Sequence, residues 1–177
     1  MHELAITAIG ADRPGVVAAV TGVLAELEGN LEDSSMTILG GRFAMMLIVE
    51  VPDSVTADQV LDALRPEAEA LGLHVSVHPS DDTSEGREGE PWNVTVYGAD
   101  RPGIVHRFAR ELADADVNIT DLTTRVIGSA ERPVYAMLLD VSLPAGADPD
   151  GLASRLAGVA SELGVECTLH PVDVDIL

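Results

Sequence analysis

The sequence predicts an α+β protein of two βαββαβ domains, each with an antiparallel sheet. The hexapeptide Gly-Ala-Asp-Arg-Pro-Gly occurs at 10–15 and again at 98–103, in a chain of 177 residues. Each copy lies between an alternating, strand-like run and an apolar run with helical spacing. The same order of elements then follows in both halves, which indicates a duplicated domain of about 85 residues.

The first half begins with a strand at 3–9 that ends at Gly10. Pro14 suits the first position of the following helix, and Asp12 is expected to cap that helix or to bind a ligand's amine. Gly29-Asn30 stops the helix, and strands at 31–39 and 43–51 form a hairpin around Gly40-Gly41. The nearly continuous apolar run 44–49 predicts a central strand that is buried on both faces.

A capping box of Thr56 and Gln59 opens the second helix, which ends at Gly72 before a strand at 73–78. The second half repeats this order. It has a strand at 92–97, a helix from Pro102, strands at 117–127 and 134–143 around a longer turn at 128–133, a helix capped by Asp148-Pro149, and a strand at 165–172. Four extra residues in the hairpin shift the repeat offset from 88 to 92.

These elements place one domain at 1–79 and the other at 92–177. The acidic, Gly-containing segment 80–91 lacks apolar periodicity and is interpreted as a flexible, self-repelling linker. Each domain is a split β-α-β unit, the ferredoxin-like arrangement. Because that fold serves many functions, the function must be inferred from the site.

Composition narrows the class of protein. Ten basic and thirty acidic residues give a formal charge of −20, which disfavours direct binding to nucleic acid. The single Cys167 excludes an internal disulfide, and its alternating context predicts a packed thiol. Neither a signal peptide nor a membrane-spanning run is visible, so we expect a cytoplasmic protein with no membrane partner.

Catalytic and metal-binding motifs are missing from the sequence. There is no Cys-x-x-Cys metal-carrier motif, nucleophile elbow, Walker loop or dinucleotide fingerprint, and no cofactor or metal is predicted. His78 and His170 occupy equivalent strand ends before Pro, which favours a structural role. His106 stands where the first domain has Ala18, and a solvent-exposed helix position is favoured over a ligand contact.

The duplicated turn is the candidate site. Gly15 and Gly103 leave the helix N-terminus open to a carboxylate, because no side chain blocks the backbone N–H groups there. Asn30 and Asn118 begin the neighbouring strand and are expected close to the turn, where they could bind an ammonium or a carboxylate. Gly and Asn are also ordinary turn residues. The recurrence of Asp, Gly and Asn together in both copies nevertheless favours a binding site.

Two stretches of this chain resemble the ACT domain signature: Asp12-Arg13-Pro14-Gly15-Val16-Val17 and Asp100-Arg101-Pro102-Gly103-Ile104-Val105, each followed by Asn-Leu/Ile-x-Asp after the helix. The resemblance implies an amino-acid sensor whose domains pair, either as side-by-side sheets or through helix faces. It places the effector where the turn of one domain meets the second strand of its partner. The ligand-binding residues that it implies are Asp12, Arg13, Pro14, Gly15, Val16, Asn30, Leu31, Asp100, Arg101, Pro102, Gly103, Ile104, Asn118 and Ile119.

The sequence therefore predicts a non-enzymatic regulatory protein that binds a small amino acid, glycine or a similar one. We expect it to form a homo-oligomer, a dimer in the simplest case, and to signal to a protein partner, for instance in transcriptional control of amino-acid metabolism. The alternative is a dimerisation or interaction module without a ligand. A small enzyme is the third class, and no convergent base and nucleophile supports it. Whether both repeats bind, and whether domains pair within or between chains, stays open.

Overall fold

Each half of the chain folds into a four-stranded antiparallel sheet packed against two helices. The computed structural model describes residues 1–80, 89–129 and 132–172. The chain divides into two units, Met1–Asp82 and Thr83–Leu177, called unit 1 and unit 2 below. The predicted α+β class with two βαββαβ repeats is confirmed.

Unit 1 has the strand order β2-β3-β1-β4. Its elements are β1 (His2–Ala11), α1 (Val16–Glu26), β2 (Asn30–Leu39), β3 (Arg42–Val51), α2 (Ala57–Leu71) and β4 (Leu73–Pro79). Unit 2 has the equivalent order β6-β7-β5-β8. Its elements are β5 (Glu90–Gly98), α3 (Ile104–Ala113), β6 (Asn118–Ser129), β7 (Arg132–Leu143), α4 (Pro149–Leu163) and β8 (Val165–Pro171).

Each unit has its own apolar core between the sheet and the helices. In unit 1, alternate residues of β1 (Leu4, Ile6 and Ala8) belong to one buried cluster with Val20 and Leu24 of α1. Unit 2 builds its core from the equivalent positions, with Phe108 of α3 fully buried. Because successive side chains of a strand point to opposite faces, one face of each sheet packs against the helices and the other face is not covered by them.

Strand β3 corrects one prediction, because it is not buried on both faces. Phe43, Met45, Leu47 and Val49 are buried, but Met46 between them is 55% exposed. The apolar run 44–49 therefore has one side facing the helices of unit 1 and one side facing away from them. We call that second side, formed by residues of all four strands of unit 1, the open face. An apolar open face is why the run shows no alternating pattern in the sequence.

The two helices that follow the repeated hexapeptide, α1 and α3, begin two residues later than the sequence predicted. The N-cap positions are Gly15 and Gly103, with φ angles of 93° and 91°, and no side chain caps either helix. Pro14 therefore lies in the turn before α1 rather than at its first position, and Asp12 does not cap it. The predicted capping box at Thr56 and the Asp148 cap are confirmed. Gly72 ends α2 as predicted.

The strands around the connecting segments are longer than predicted. Glu90 and Pro91, which the sequence placed in the linker, belong to β5. The backbone N–H of Ser80 donates to the Glu3 carbonyl at 3.0 Å, and residues 81–88 of the predicted linker lie outside the described residues. In unit 2, β6 and β7 extend into the segment predicted as a turn and pair as far as Ser129 and Arg132. Residues 130–131 of that predicted turn lie outside the described residues.

Candidate functional site

The turn of unit 1 connects the end of β1 to the start of α1 and is tied to the β2–β3 hairpin. The backbone N–H of Asp12 donates to the Gly41 carbonyl at 3.1 Å. Gly15 then opens α1 with a left-handed conformation, and an added Cβ there would meet nothing within 4 Å. No side chain caps the first N–H groups of α1, which lie at the positive end of the helix dipole, and the N–H of Val16 donates to the Arg13 carbonyl at 3.5 Å.

A groove of about 500 Å³ lies beside this turn. The segment 12–18 forms one wall, and the side chains of Met36 on β2 and Phe43 on β3 complete it. Phe43 is buried and Met36 is 49% exposed, so the groove has an apolar floor next to polar backbone. Such a mixture suits a small molecule with a charged head and a short apolar group.

Sequence reasoning missed Met36 and Phe43. Both lie far from the turn along the chain, and only the strand pairing brings them to it. Gly10 pairs with Phe43, and Met36 lies two β3 residues further along, opposite Met45. The predicted hairpin contained this information, because a two-residue Gly40-Gly41 turn fixes which β2 and β3 residues face each other.

The turn of unit 2 has the same backbone and different surroundings. Gly103 again has open space around it, and α3 begins at Ile104. The guanidinium of Arg101 lies against Gly164, the C-cap of α4, where a Cβ would be 3.6 Å from its Nη2. A cation near a helix C-terminus is stabilising, because the last carbonyls carry partial negative charge. Arg101 of unit 2 thus lies close to the C-terminus of α4.

The floors of the two turns differ in polarity. Tyr135 takes the place of Phe43, since Gly98 pairs with Tyr135 as Gly10 pairs with Phe43. Thr124 takes the place of Met36, since each faces the equivalent methionine on the central strand. Burial raises the pKa of the Tyr135 hydroxyl, and the nearby Asp100 carboxylate raises it further, while a hydrogen bond with Thr124 acts in the opposite direction. Unit 1 therefore has an apolar floor at this position, and unit 2 has a hydroxyl pair.

Asn30 and Asn118 do not lie close to the turn of their own unit, which corrects that prediction. Asn30 pairs with Glu50 at one end of β3, whereas the turn follows Ala11, which pairs with Arg42 at the other end. Eight residues of extended strand separate these ends, a distance of about 26 Å. Asn118 pairs with Ser142 at the same distant end of unit 2. Leu31 and Ile119 accompany them, so a small ligand cannot contact both groups within one unit.

A β-bulge in each unit sets the direction of these side chains. The pairing register shifts between Leu31 and Asp33, and again between Ile119 and Asp121. The Asn30 side chain donates a hydrogen bond to Glu32 within the bulge. An extra residue in one strand turns the preceding side chains to the opposite face. The repeated Asn-x-x-Asp pattern thus marks a repeated bulge.

The remaining candidates show no second site. His78 and His170 are exposed at equivalent strand ends, and His106 is exposed on α3. Cys167 packs against the core of unit 2 as predicted, and burial raises the pKa of its thiol to about 11. In the described residues, no group of three or more His, Cys, Asp or Glu side chains is placed to hold a metal ion. None of the helices in those residues is long and apolar enough to span a membrane.

Two like βαββαβ units, each with an uncapped glycine turn at its first helix, define a tandem ferredoxin-like protein. The ACT domain model matches residues 2–78 and 93–166, which covers both units. The chain belongs to the ACT domain family.

Full-length similarity extends to a bacterial regulator. The chain is 26% identical over 176 residues to the glycine cleavage system transcriptional repressor of Escherichia coli, covering 97% of this chain and 91% of that one. It is 31% identical over 169 residues to the phosphoserine phosphatase SerB2 of Mycobacterium tuberculosis, of which it spans 40%. A crystal structure of an unknown protein from Galdieria sulphuraria aligns with a TM-score of 0.81 and 26% identity, covering 97% of this chain and 98% of that one.

Proposed function

We propose that this chain is a non-enzymatic regulator that binds a small amino acid at the turn of unit 1. The groove at that turn carries the proposal, because it combines three features that a zwitterion requires. Uncapped N–H groups at the start of α1 suit the carboxylate, the Asp12 side chain suits the ammonium group, and Met36 with Phe43 accommodates a short apolar side chain.

The differences between the turns favour unit 1 as the main site for an amino acid with an apolar or very small side chain. In unit 2, Tyr135 and Thr124 are hydrogen-bonded to each other, and the Arg101 guanidinium lies near the C-terminus of α4. A purely apolar ligand group that came between these two hydroxyls would break their hydrogen bond and leave both without a partner. The two turns therefore differ in the ligand that each would accept.

The sequence relatives support a regulatory role. One full-length relative is named as a transcriptional repressor. A chain with a charge of −20 is unsuited to DNA, so control of transcription would act through a protein partner in the cytoplasm. Ligand binding changes that partner's affinity only if the ligand prefers one of two arrangements of the protein.

Isothermal titration calorimetry of the full chain against the twenty amino acids tests the proposal. We expect a small, apolar or side-chain-free amino acid to bind, and Gly15→Asn to weaken it at least about 10-fold. Asn tolerates a positive φ, and its side chain would extend the wall of the groove into the space beside α1. Gly103→Asn makes the same change in unit 2 and measures the contribution of the second turn.

Gly40→Asn is the matched control. Gly40 also has a positive φ, of 57°, and open space around it, but it lies in the hairpin turn and does not line the groove. We expect this variant to bind like the wild type. A wild-type protein that binds no amino acid at millimolar concentration would favour the alternative, a ligand-free interaction module.

A further inference from the structure

The open face of unit 1 has a pattern that nothing in the effector site explains. Three transverse rows of side chains cross the sheet in the strand order β2, β3, β1, β4. They are Thr37–Ala44–Ile9–His74, Ser35–Met46–Thr7–Ser76 and Asp33–Ile48–Ala5–His78. The six positions on the two central strands hold no charged side chain, although the chain carries a charge of −20. Ile9 and Met46 among them are about half exposed.

Large and small side chains alternate across the two central strands in every row. Ala44 of β3 stands beside Ile9 of β1, Met46 beside Thr7, and Ile48 beside Ala5. A two-fold axis parallel to the strands, placed between β3 and β1, lays each β3 residue over the β1 residue of the same row in a second copy. Every large side chain then meets a small one, which is the condition for two faces to interdigitate.

The edge strands are complementary under the same operation. The axis brings β2 of one copy over β4 of the other, so Asp33 faces His78 of the second copy. Aligned sheets pack about 10 Å apart, which carboxylate and imidazole side chains can bridge. One oxygen of Asp33 accepts a hydrogen bond from the Ser34 backbone N–H at 2.7 Å, and this orients the carboxylate. Glu3 and Glu50 form the next row and limit the patch at that end.

The available area is enough for a modest dimer. The three rows span about six residues of each strand, and four strands about 4.8 Å apart then give roughly 400 Å² in projection, so two copies cover about 800 Å². An interface of that size is typical of weak, reversible association. The equivalent face of unit 2 is less suited to such burial, because the Ile48 and Ala5 positions are occupied by Asp140 and Asn93, which are hydrogen-bonded to each other.

We propose that the chain dimerises by packing the open face of unit 1 against the same face of a second copy, about a two-fold axis parallel to the strands between β3 and β1. The pairing is between copies of unit 1 and needs no effector. It is distinct from pairing through sheet edges or helices. Its register is specified by the rows: Ile48 packs on Ala5 of the second copy, and Met46 packs on Thr7.

Sedimentation equilibrium of the full chain from 1 to 200 μM tests the dimer. We expect the wild type to reach twice the mass of one chain and Met46→Arg to stay at the mass of one chain. Leu138→Arg is the matched control, because Leu138 is the unit 2 equivalent of Met46 and is also exposed. We expect it to dimerise like the wild type. Both positions lie on the surface, and circular dichroism with a thermal melt checks that each variant remains folded.

A side-chain exchange tests the register. We expect Ala5→Ile to raise the dimer dissociation constant at least about 10-fold, because two large side chains then meet in one row. Ala5→Ile combined with Ile48→Ala restores one large and one small residue per row, and we expect it to recover most of that loss. A monomeric wild type, a dimer that survives Met46→Arg, or dissociation caused equally by Leu138→Arg would each overturn the proposal. Failure of the exchange to recover affinity would overturn the register.

Discussion

Gly15 combines a φ of 93° with empty space where a Cβ would lie. For folding, glycine is therefore required at this position by its backbone conformation and not by lack of space. Replacing it with Ala forces an L side chain into the left-handed region, which costs about 1–2 kcal/mol. We expect Gly15→Ala to lower the free energy of unfolding of unit 1 by about that amount, measured by urea denaturation.

Gly22 provides the comparison within the same helix. It lies inside α1, its backbone is helical, and an added methyl group would meet nothing within 4 Å. Gly22→Ala should stabilise unit 1 by about 0.5–1 kcal/mol, because Ala loses less backbone entropy in a helix. Equal effects of the two substitutions would contradict the conformational explanation.

At the scale of the secondary-structure element, α2 contains a feature that the apolar pattern concealed. Pro66 lies inside the helix, where it removes a backbone N–H donor and crowds the preceding turn. Pro66 is exposed, so packing does not require it. We expect Pro66→Ala to raise the stability of unit 1 by about 1–3 kcal/mol, read from the shift in the urea midpoint.

Pro149 is the matched control for this change. It lies at the start of α4, just after the Asp148 N-cap, where the backbone N–H of any other residue would have no intrahelical partner. Pro149→Ala should alter stability by no more than about 0.5 kcal/mol. A large loss there, or no gain at Pro66, would argue against the hydrogen-bonding explanation.

Element order and helix caps could be predicted because they depend on local sequence. The capping box at Thr56, the Asp148 cap and the Gly72 stop each involve residues within a few positions of one another. The start of α1 could not be placed, because Pro14 and Gly15 both suit a helix start and only the positive φ of Gly15 separates them. The prediction that β3 is buried on both faces was wrong, because apolar side chains on its open face give no alternation.

The turn could be located from its repetition, but its surroundings could not. Met36 and Phe43 reach the groove through strand register, while the same register takes Asn30 to the far end of the sheet. The turn at 12–15 and Asn30 belong to one repeated order along the sequence, yet they lie at opposite ends of the sheet. A helix that returns along the sheet separates its two ends by its own length, so residues before and after α1 lie at opposite ends.

At the scale of the whole molecule, the two units hold separate cores. Leu47 and Leu139 occupy equivalent positions on the central strands, and each is 1% exposed. Replacing either with Ala should cost about 2–5 kcal/mol in its own unit. Trp92, the only tryptophan in the chain, lies on β5 of unit 2 and can report which unit unfolds.

We expect Leu139→Ala to lower the temperature at which Trp92 fluorescence changes. Leu47→Ala should leave that transition in place and lower the temperature of a second transition, that of unit 1, seen by circular dichroism at 222 nm. Each variant therefore serves as the control for the other. If Leu47→Ala shifted the Trp92 transition as much as Leu139→Ala does, the two cores would unfold as one.

The β2–β3 hairpin of unit 1 has a consequence for sensor engineering. The Gly41 carbonyl accepts a hydrogen bond from the Asp12 N–H, so the hairpin tip is joined directly to the turn. Unit 2 carries four more residues in the equivalent hairpin, and its β6 and β7 still pair. A circularly permuted fluorescent protein inserted between Gly40 and Gly41 would thus enter at a position that tolerates added length. If the proposed ligand binds in the adjacent groove, we expect the emission of the inserted protein to change on binding.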